Sequence, residues 1–276
     1  MVPRSVSDVV RPRLVATDLD GTLLHSDGTV TDRTRAVLTE LDALGVPVVF
    51  TTGRPIRWMD ELWDAVGGHG LAICSNGGIV YDVARRQVRT ARTIPAQVLL
   101  DVAALLRAEV PGTVFALEKT TGFAREPEFM PRLSVNRVGD VDQGTLEELV
   151  DDSVVKLLAR HEDLEPEPYW KRVAEVVGEQ VVTTWSSVGT LVEISAAGVT
   201  KATTLATIAA EMGLGPGDVI AFGDMPNDLP MLEWAGTSYA MANAHESVQE
   251  LADHLAPAND DDGVATVLAD LFSLSR

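Results

Sequence analysis

Residues 14–21 read LVATDLDG, a short apolar run that ends in two acidic residues and a glycine. An uninterrupted apolar run of this kind is typical of a strand buried on both faces of a parallel sheet. Asp18 and Asp20 lie two positions apart, so on an extended strand both carboxylates would project to the same face. We therefore predict a buried strand that delivers a pair of carboxylates at its carboxyl end.

The flanking sequence extends this strand into an alternating strand–helix pattern. Thr31 suits the N-cap of a first helix, and a second apolar strand covers residues 46–50. Pro55 suits the first turn of a second helix, and a third strand covers residues 71–74. This order implies right-handed crossovers and a parallel sheet. The alternation resumes later in the chain, with elements predicted over residues 200–212, 219–222, 227–234 and 238–241.

The stretch between the two alternating parts has a different character, because helices mix there with isolated strand-like pieces and irregular loops. The elements predicted in it are helices over residues 96–109 and 166–177 and strands over residues 113–117, 154–159 and 181–185. The predicted fold class is α/β. A Rossmann-like parallel-sheet core would consist of residues 1–82 and 188–276, and residues 83–187 would form an inserted α+β domain.

The composition limits the function. The chain has 276 residues, is 46% hydrophobic, and carries 22 Lys+Arg against 41 Asp+Glu, a formal net charge of −19. This apolar fraction excludes intrinsic disorder, and no stretch approaches the ~20 apolar residues of a membrane span. The acidic excess disfavours nucleic-acid polymers and anionic membranes as partners. We expect a cytoplasmic monomer or homodimer that binds neither.

The sequence gives little evidence for a metal site built from cysteine or histidine. Cys74 is the only cysteine, so an internal disulfide and a cysteine-based zinc cluster are excluded. The histidines show no paired metal-ligand spacing, and only His25 follows the acidic pair closely enough to belong to a site there. The acidic run at residues 260–262 does not fit an EF-hand loop, because placing Gly263 at its sixth position puts alanines at both ends.

Polar side chains follow three of the predicted strands. Asp18 and Asp20 follow the first strand, Thr52 follows the second, and Asp224 and Asp228 follow a strand in the second alternating part. In an open α/β sheet, ligands bind at the carboxyl ends of the strands. Carboxylates aimed the same way repel each other unless a cation lies between them or one holds a proton. An all-oxygen set favours Mg²⁺ over Zn²⁺.

Each of these residues, taken alone, also has a purely structural interpretation. Acidic residues at strand ends often cap helices or occupy turns, and Thr52 suits a turn. Lys201 alone would be a solvated residue in the first turn of a helix, where its charge opposes the helix dipole. A bound phosphate would reverse that argument. Three polar sites at three strand ends, with a lysine after a fourth strand predicted over residues 191–194, favour a functional site.

The motifs together resemble those of the haloacid dehalogenase-like superfamily, in its Cof-like phosphatase branch. The segments that carry the resemblance are, in motif order, DLDGTLL (18–24), TGR (52–54), GVTK (198–201) and GDMPND (223–228). Four motifs in this order are far more specific than any one of them. The resemblance extends over residues 14–268, and its one small departure is Ala202, where a glycine is frequent.

The resemblance implies a division of labour among the carboxylates. Asp18 would be the nucleophile that becomes an aspartyl phosphate, and Asp20 the general acid for the leaving alkoxide and then the base for water. Mg²⁺ would be held by Asp18, the backbone carbonyl of Asp20, and Asp224. Asp228 would sit at the edge of the metal shell or brace Lys201. Covalent catalysis of this kind splits one hard displacement into two easier ones.

The resemblance also implies contacts to the phosphoryl group and to the rest of the substrate. The residues expected at the phosphoryl oxygens are Thr52, Gly53, Lys201 and Asn227. Candidate substrate contacts in the core are Arg54, Asn76 and Gly77. In the insert, the residues that could contact substrate are Glu118, Lys119, Arg125 and Trp185. Such groups suit phosphoryl transfer, which depends on positioning and on neutralising the equatorial oxygens.

The leading hypothesis is a magnesium-dependent phosphatase acting on a small phosphorylated metabolite, such as a sugar phosphate or similar phosphomonoester. The insert lies between the second and third motifs, as in the Cof-like branch, and would act as a cap that selects the leaving group. A phosphomannomutase-like enzyme shares that cap position and stays an alternative. The short interval between Asp20 and Thr52 argues against a β-phosphoglucomutase arrangement, and Asp20 itself argues against a dehalogenase.

The alternative from another class is a non-catalytic sensor of phosphorylated ligands. Such a protein would be expected to have lost Asp18, Asp20 or the metal carboxylates, and none of these is missing.

Overall fold

The computed structural model describes residues 11–59, 62–63, 66, 68, 70–130, 141–185 and 189–274. The strands in these ranges are β1 (Leu14–Asp18), β2 (Val48–Thr51), β3 (Leu71–Cys74), β4 (Ile79–Asp82), β5 (Gln87–Ala91), β6 (Val114–Lys119), β7 (Gly122–Arg125), β8 (Asp142–Gln143), β9 (Val154–Arg160), β10 (Val181–Trp185), β11 (Leu191–Ala196), β12 (Val219–Gly223), β13 (Thr237–Met241) and β14 (His254–Ala256). The α-helices are α1 (Asp32–Ala43), α2 (Ala96–Glu109), α3 (Leu146–Leu149), α4 (Pro166–Val177), α5 (Lys201–Glu211), α6 (Leu229–Trp234), α7 (Glu246–Leu251) and α8 (Gly263–Phe272). The helix predicted to begin at Pro55 is described as a 3₁₀ turn, Ile56–Trp58, and the segment that follows lies partly outside the described residues.

Eight of these strands form the larger sheet, in the order β14-β13-β12-β1-β2-β3-β4-β5. The strands from β14 to β3 pair in parallel, and β4 and β5 extend the sheet in antiparallel fashion. The chain starts at β1, moves outward through β2 and β3, and later returns to the other side of β1 at β12. That reversal is a topological switch point, where an open α/β sheet forms a ligand-binding crevice. The predicted Rossmann-like parallel core is confirmed.

Burial on both faces explains why the strands of this sheet are apolar throughout. All residues of β1, β2 and β12 are buried. Helices α1 and α8 cover one face through a cluster that includes Val37 and Leu268, and α5 covers the other through Leu205 and Ile208. Within the described ranges, none of the helices has the length and apolar character needed to cross a membrane.

The other six strands form a smaller sheet, in the order β10-β11-β9-β6-β7-β8. Helices α2 and α4 cover one of its faces, and residues such as Leu106 and Tyr169 pack there against Phe115. The opposite face meets the larger sheet, because Lys156 of β9 donates a hydrogen bond to the backbone carbonyl of Gly53 at 2.7 Å. This unit is the predicted α+β insert, and we refer to it as the cap.

For two strands, the sheet in which they lie differs from the domain to which the predicted limits assigned them. β5 pairs with β4 in the larger sheet, although the insert was expected from residue 83. β11 pairs with β9 and β10 in the cap, although the core was expected to resume at residue 188. A local pattern predicts a strand but not its partner, and every residue of β5 is exposed. We propose that the chain passes between core and cap after β5 and after β11.

Candidate active site

Three buried carboxylates meet at the switch point between β1 and β12. Asp18 ends β1, Asp224 follows β12, and Asp228 ends the turn that leads into α6. One carboxylate oxygen from each lies within 4.8 Å of the others. β1 and β12 pair in parallel, so their carboxyl ends lie at the same edge of the sheet. The structure thus brings together the three side-chain carboxylates that the resemblance implied for the metal site or its edge.

Lys201 is the cation within this cluster. It is the first residue of α5 and is buried, and its Nζ donates hydrogen bonds to Asp228 Oδ1 at 2.6 Å and to Asp18. Burial lowers the pKa of Lys201, but the charges of Asp18 and Asp228 outweigh burial and leave the pKa raised. Lys201 is therefore a permanently charged group rather than the solvated residue of the structural interpretation.

The carboxylates carry more negative charge than Lys201 neutralises. Burial raises the pKa of Asp18 well above its usual value, against the opposing effect of Lys201. Burial and then the charge of Asp228 raise the pKa of Asp224 to about 7, although a hydrogen bond from Thr22 opposes the shift. Three buried carboxylates around one ammonium leave an excess of negative charge. An oxygen-only donor set with such an excess fits Mg²⁺.

Asp20 lies outside the buried cluster. Its side chain is 51% exposed and pairs with Arg54, whose Nε donates to Asp20 Oδ2 at 2.8 Å and whose Nη2 donates to Oδ1. The prediction that Asp18 and Asp20 both lie on an extended strand is wrong, because β1 ends at Asp18 and the chain turns. Strand alternation therefore no longer governs the direction of Asp20.

Thr52 and Gly53 follow β2 beside the end of β1. Thr51 is paired in register with Asp18, so Thr52 lies one residue beyond the level of the nucleophile candidate. Thr52 is fully buried, and its Oγ1 accepts a hydrogen bond from the backbone N–H of Arg54 at 2.9 Å. This bond shapes the turn that carries Gly53 and Arg54 toward the cap.

Two glycines permit the close approaches on which the site depends. Gly21 has φ +76°, and a Cβ there would overlap the Asp224 carboxylate. Gly77 has φ +110°, and a Cβ there would overlap the backbone carbonyl of Thr200, directly before Lys201. Both positions therefore require glycine for conformation and for space. Gly77, predicted as a substrate contact, is placed by the structure where it lets α5 approach the sheet.

Asn76 connects the core to the cap. Its Nδ2 donates to Glu193 Oε2 at 2.7 Å and to Thr184 Oγ1 at 2.9 Å, and both partners lie in the cap sheet. Its Oδ1 accepts a hydrogen bond from Asn227 Nδ2 at 3.2 Å. Asn76 and Asn227, predicted as substrate and phosphate contacts, are thus neighbours at the boundary between core and cap.

Four charged residues at this boundary form two ion pairs, and we call them the boundary cluster: Arg57, Glu118, Lys156 and Glu193. Lys156 Nζ pairs with Glu193 Oε1 at 2.6 Å, and Arg57 Nη2 pairs with Glu118 Oε1 at 2.5 Å. Of the four, only Glu118 was predicted from the sequence as a candidate substrate contact. The available signal was a charged residue inside an apolar strand, as in VVKLLAR for β9 and LVEISA for β11.

The other candidates named in the insert have partners within the cap. Lys119 Nζ pairs with Asp151 at 2.8 Å, and Trp185 stacks on Trp170 of α4. Arg125 donates to three nearby backbone carbonyls. These contacts explain the three side chains by cap structure alone.

His25 belongs to the acidic turn near the end of the chain. Its Nε2 lies 3.1 Å from Asp262 Oδ1, which also accepts hydrogen bonds from Thr31 and Thr34. Asp260 accepts hydrogen bonds from Ser26. These contacts tie the first motif's loop to α8, which gives His25 a structural role away from the carboxylate cluster.

Comparisons with known proteins agree with this architecture. A family model described as haloacid dehalogenase-like hydrolase matches residues 15–268. A 5-amino-6-(5-phospho-D-ribitylamino)uracil phosphatase of Bacillus subtilis is 30% identical over 273 residues, covering 96% of this chain and 99% of that protein. A phosphoglycolate phosphatase of Methanopyrus kandleri is 30% identical over 259 residues, covering 94% and 97%. A solved structure from Streptococcus mutans shares the fold, with a TM-score of 0.83 at 22% identity over 95% of this chain and 99% of that one.

The chain belongs to the haloacid dehalogenase-like hydrolases. The family match extends over nearly the whole chain, and both curated relatives described above are named as phosphatases. The resemblance drawn from the four motifs is confirmed. So is the predicted enzyme class, a phosphoric monoester hydrolase of this superfamily.

Proposed function

We propose that this protein is a magnesium-dependent phosphatase that hydrolyses a small phosphorylated metabolite through an aspartyl phosphate on Asp18. The observation that carries the proposal is the buried cluster of Asp18, Asp224 and Asp228 around Lys201. Family membership supports the reaction class. The named activities of the relatives, on a phosphoribityl compound and on phosphoglycolate, support small phosphomonoesters as substrates.

Asp18 is suited to be the nucleophile because its carboxylate is buried at the switch point and held by Lys201. In the first step, an Asp18 oxygen bonds to phosphorus while the bond from phosphorus to the leaving oxygen breaks. In the second step, a water oxygen attacks phosphorus, the bond from Asp18 to phosphorus breaks, and inorganic phosphate is released. Each step replaces one phosphorus–oxygen bond by another, so no further reactant is needed.

Asp20 is suited to proton transfer because its half-exposed carboxylate lies two residues after Asp18, where a leaving group can reach it. As an acid it gives a proton to the leaving oxygen, and as a base it takes one from the attacking water. Arg54 holds both Asp20 oxygens in the structure, so this pair has to open before a proton moves. Phosphoryl oxygens are the natural competitor, since guanidinium binds them in the same forked manner.

Thr52, Gly53 and Lys201 supply the phosphoryl-binding side. Lys201 contributes a fixed positive charge, and the turn at Thr52 offers a hydroxyl beside the end of β1. Asp18, Asp224 and the Asp20 carbonyl, with Asp228 beside them, would hold Mg²⁺, which would neutralise charge on the phosphoryl oxygens. Asn227 is linked to this part of the site by the hydrogen bond that its Nδ2 donates to Asn76 Oδ1.

The direct test is phosphate release from p-nitrophenyl phosphate and from a panel of phosphorylated sugars, polyols and cofactors, with and without Mg²⁺. We expect Mg²⁺-dependent release of phosphate from at least one small ester. A mutase would instead give an isomerised sugar phosphate without free phosphate. No turnover of any ester by the Mg²⁺-loaded protein would contradict the proposal and favour a ligand sensor. The cytoplasmic location and the monomeric or homodimeric state stay predictions from the sequence.

A further inference from the structure

Lys156 and Glu193 lie against the loop that carries the phosphoryl-binding residues. Lys156 Nζ donates to the backbone carbonyl of Gly53 at 2.7 Å. Glu193 Oε2 would lie 3.5 Å from a Cβ built on Gly53. Gly53 directly follows Thr52, so this ion pair faces the part of the site through which the leaving group must extend from phosphorus toward the cap.

The pair belongs to the face of the cap sheet that meets the core. Val192 and Ile194, on either side of Glu193, pack into the apolar cluster beneath the cap helices. The alternation of a strand therefore turns Glu193 to the opposite face. The side chains of Lys156 and Glu193 are only 1% and 9% exposed. A change of charge at this pair therefore acts on a nearby leaving group with little screening by solvent.

The positive charges around the leaving-group side are already compensated. Three cations there are each bound to a carboxylate, in the pairs Lys156–Glu193, Arg57–Glu118 and Arg54–Asp20. A leaving group with its own carboxylate would have to displace one of these partners or lie beside it, and either arrangement is costly in a buried site. An uncharged leaving group leaves the balance intact.

The side chains beside this ion pair have unused hydrogen-bond acceptors, so they favour a ligand group that donates. Both Asn76 Nδ2 hydrogens are taken, by Glu193 and Thr184. Asn227 Oδ1 is buried and accepts no hydrogen bond from the described residues. Glu193 itself has lone pairs beyond those that Lys156 and Asn76 use. A hydroxyl can donate to such acceptors, whereas an ionised carboxylate cannot.

We infer that Glu193, held by Lys156, is a specificity-determining residue that favours uncharged, hydroxyl-bearing leaving groups and disfavours leaving groups that carry a carboxylate. The inference rests on the proposed function, because it concerns the leaving group of the same phosphoryl-transfer site. Lys156 acts through Glu193 as a positioning residue. It fixes the carboxylate and joins it to the Gly53 carbonyl.

The test compares phosphate esters that differ only in the distal group. Glycerol 3-phosphate is paired with 3-phosphoglycerate, and ribitol 5-phosphate with 5-phosphoribonate, so that a CH₂OH replaces a carboxylate in each pair. We expect the wild-type kcat/KM to favour the uncharged ester by at least about 30-fold in each pair that is turned over. A ratio within about threefold, or a preference for the carboxylate ester, would overturn the inference.

Two variants change the charge of the pair in opposite directions. Glu193→Gln leaves the Lys156 charge uncompensated and should lower the preference for the uncharged ester by at least about tenfold. Lys156→Met leaves Glu193 uncompensated and should raise that preference. A merely structural role would move both ratios in the same direction or leave both unchanged. Glu175→Gln, at an exposed residue of α4 paired with Arg172, changes the net charge equally and should not alter the ratio.

The outcomes separate this inference from the proposed function. Turnover of p-nitrophenyl phosphate by the wild type without discrimination in either pair would remove the inference and leave the phosphatase standing. Absence of turnover of every ester would remove both. If Glu193→Gln fails to fold, by circular dichroism, the wild-type ratios and the Lys156→Met ratio still decide. If the kcat/KM preference for the uncharged ester rises in Lys156→Met, the inference about Glu193 is supported. If that preference falls or does not change, the inference is overturned.

Discussion

The catalytic cluster and the boundary cluster are both buried and charged, but only one of them is electrically balanced. The catalytic cluster sets Asp18, Asp224 and Asp228 against Lys201 alone. The boundary cluster has two cations and two carboxylates, joined in pairs. A buried excess of negative charge is stabilised when a cation binds, whereas a balanced set gains nothing from another ion. We therefore propose that imbalance marks the place where this chain binds a metal, and that balance marks the place where it selects the leaving group.

The largest effect that tests this contrast is expected from Asp18→Asn. The amide cannot attack phosphorus, so turnover of p-nitrophenyl phosphate should fall by roughly 10⁴-fold or more. The circular dichroism spectrum should stay that of the wild type. The control is Asp101→Asn on α2, where the side chain is exposed and accepts a hydrogen bond from Gln97. Turnover that survives Asp18→Asn would show that the catalytic cluster has been assigned to the wrong residue.

Reaction of Cys74 reports whether the boundary cluster stays closed in solution. Cys74 is fully buried, and burial raises the pKa of its thiol to about 12, although the charge of Lys156 opposes that rise. Near pH 8 the thiolate fraction should be on the order of 10⁻⁴, so reaction with Ellman's reagent should be about 10³-fold slower than in denaturant. Native and denatured protein reacting at similar rates would contradict a closed boundary.

Removal of metal should affect the catalytic cluster alone. Treatment with EDTA should lower turnover by about 10²-fold or more, and added Mg²⁺ should restore it. Mg²⁺ should also raise the midpoint of thermal unfolding, because it binds the folded state. Asp224→Asn relieves the excess of negative charge, so its metal-free form should be more stable than the metal-free wild type, by about 2–4 °C.

The Asp224→Asn comparison has a definite negative result. If Mg²⁺ stabilises the variant as much as the wild type, Asp224 is not part of the metal site. Asp101→Asn again serves as the control, since its loss of charge is exposed and should leave the stabilisation by Mg²⁺ unchanged.

The smallest effect is expected from Glu118→Gln in the boundary cluster. The amide keeps a hydrogen bond to Arg57, which also stacks on Trp58 and Phe123, so the loss of unfolding free energy should be about 1–2 kcal/mol. Burial raises the pKa of Glu118 although Arg57 opposes the shift. Stability from this residue is therefore fully present below the usual carboxyl pKa and is lost as pH rises through the raised pKa.

Chemical denaturation at several pH values measures how the stability contributed by Glu118 depends on pH. The stability advantage of the wild type over Glu118→Gln should shrink as pH rises from about 4 toward neutrality. Glu211→Gln, at an exposed pair with Arg89, is the matched control and should show no such slope. An advantage that grows with pH would mean that the charge of Glu118 stabilises the boundary.

Many of the strands and helices were predictable because their information is local. The strand β3, the helices α2 and α4 and the strand β10 have the predicted bounds, since apolar periodicity and caps are written in neighbouring residues. Asp18 and Asp224 were also found from their positions after two strands, because parallel strands deliver their ends to one edge, whereas the role of Lys201 came from the motif resemblance. Asp20 was misplaced, because the turn after Asp18 breaks the alternation that the prediction assumed.

What the sequence determined by itself is the catalytic cluster, because four motifs at the ends of short apolar elements already imply where their side chains meet. What only the tertiary structure decided is the boundary cluster and the partners of β5 and β11. Lys156 and Glu193 come from different strands and reach Gly53 far away along the chain. The physical reason is that a buried charge is tolerated only beside its partner. That partner is fixed by strand pairing within the cap sheet for Lys156 and Glu193, and by the docking of cap on core for Arg57 and Glu118, rather than by any residue nearby in the sequence.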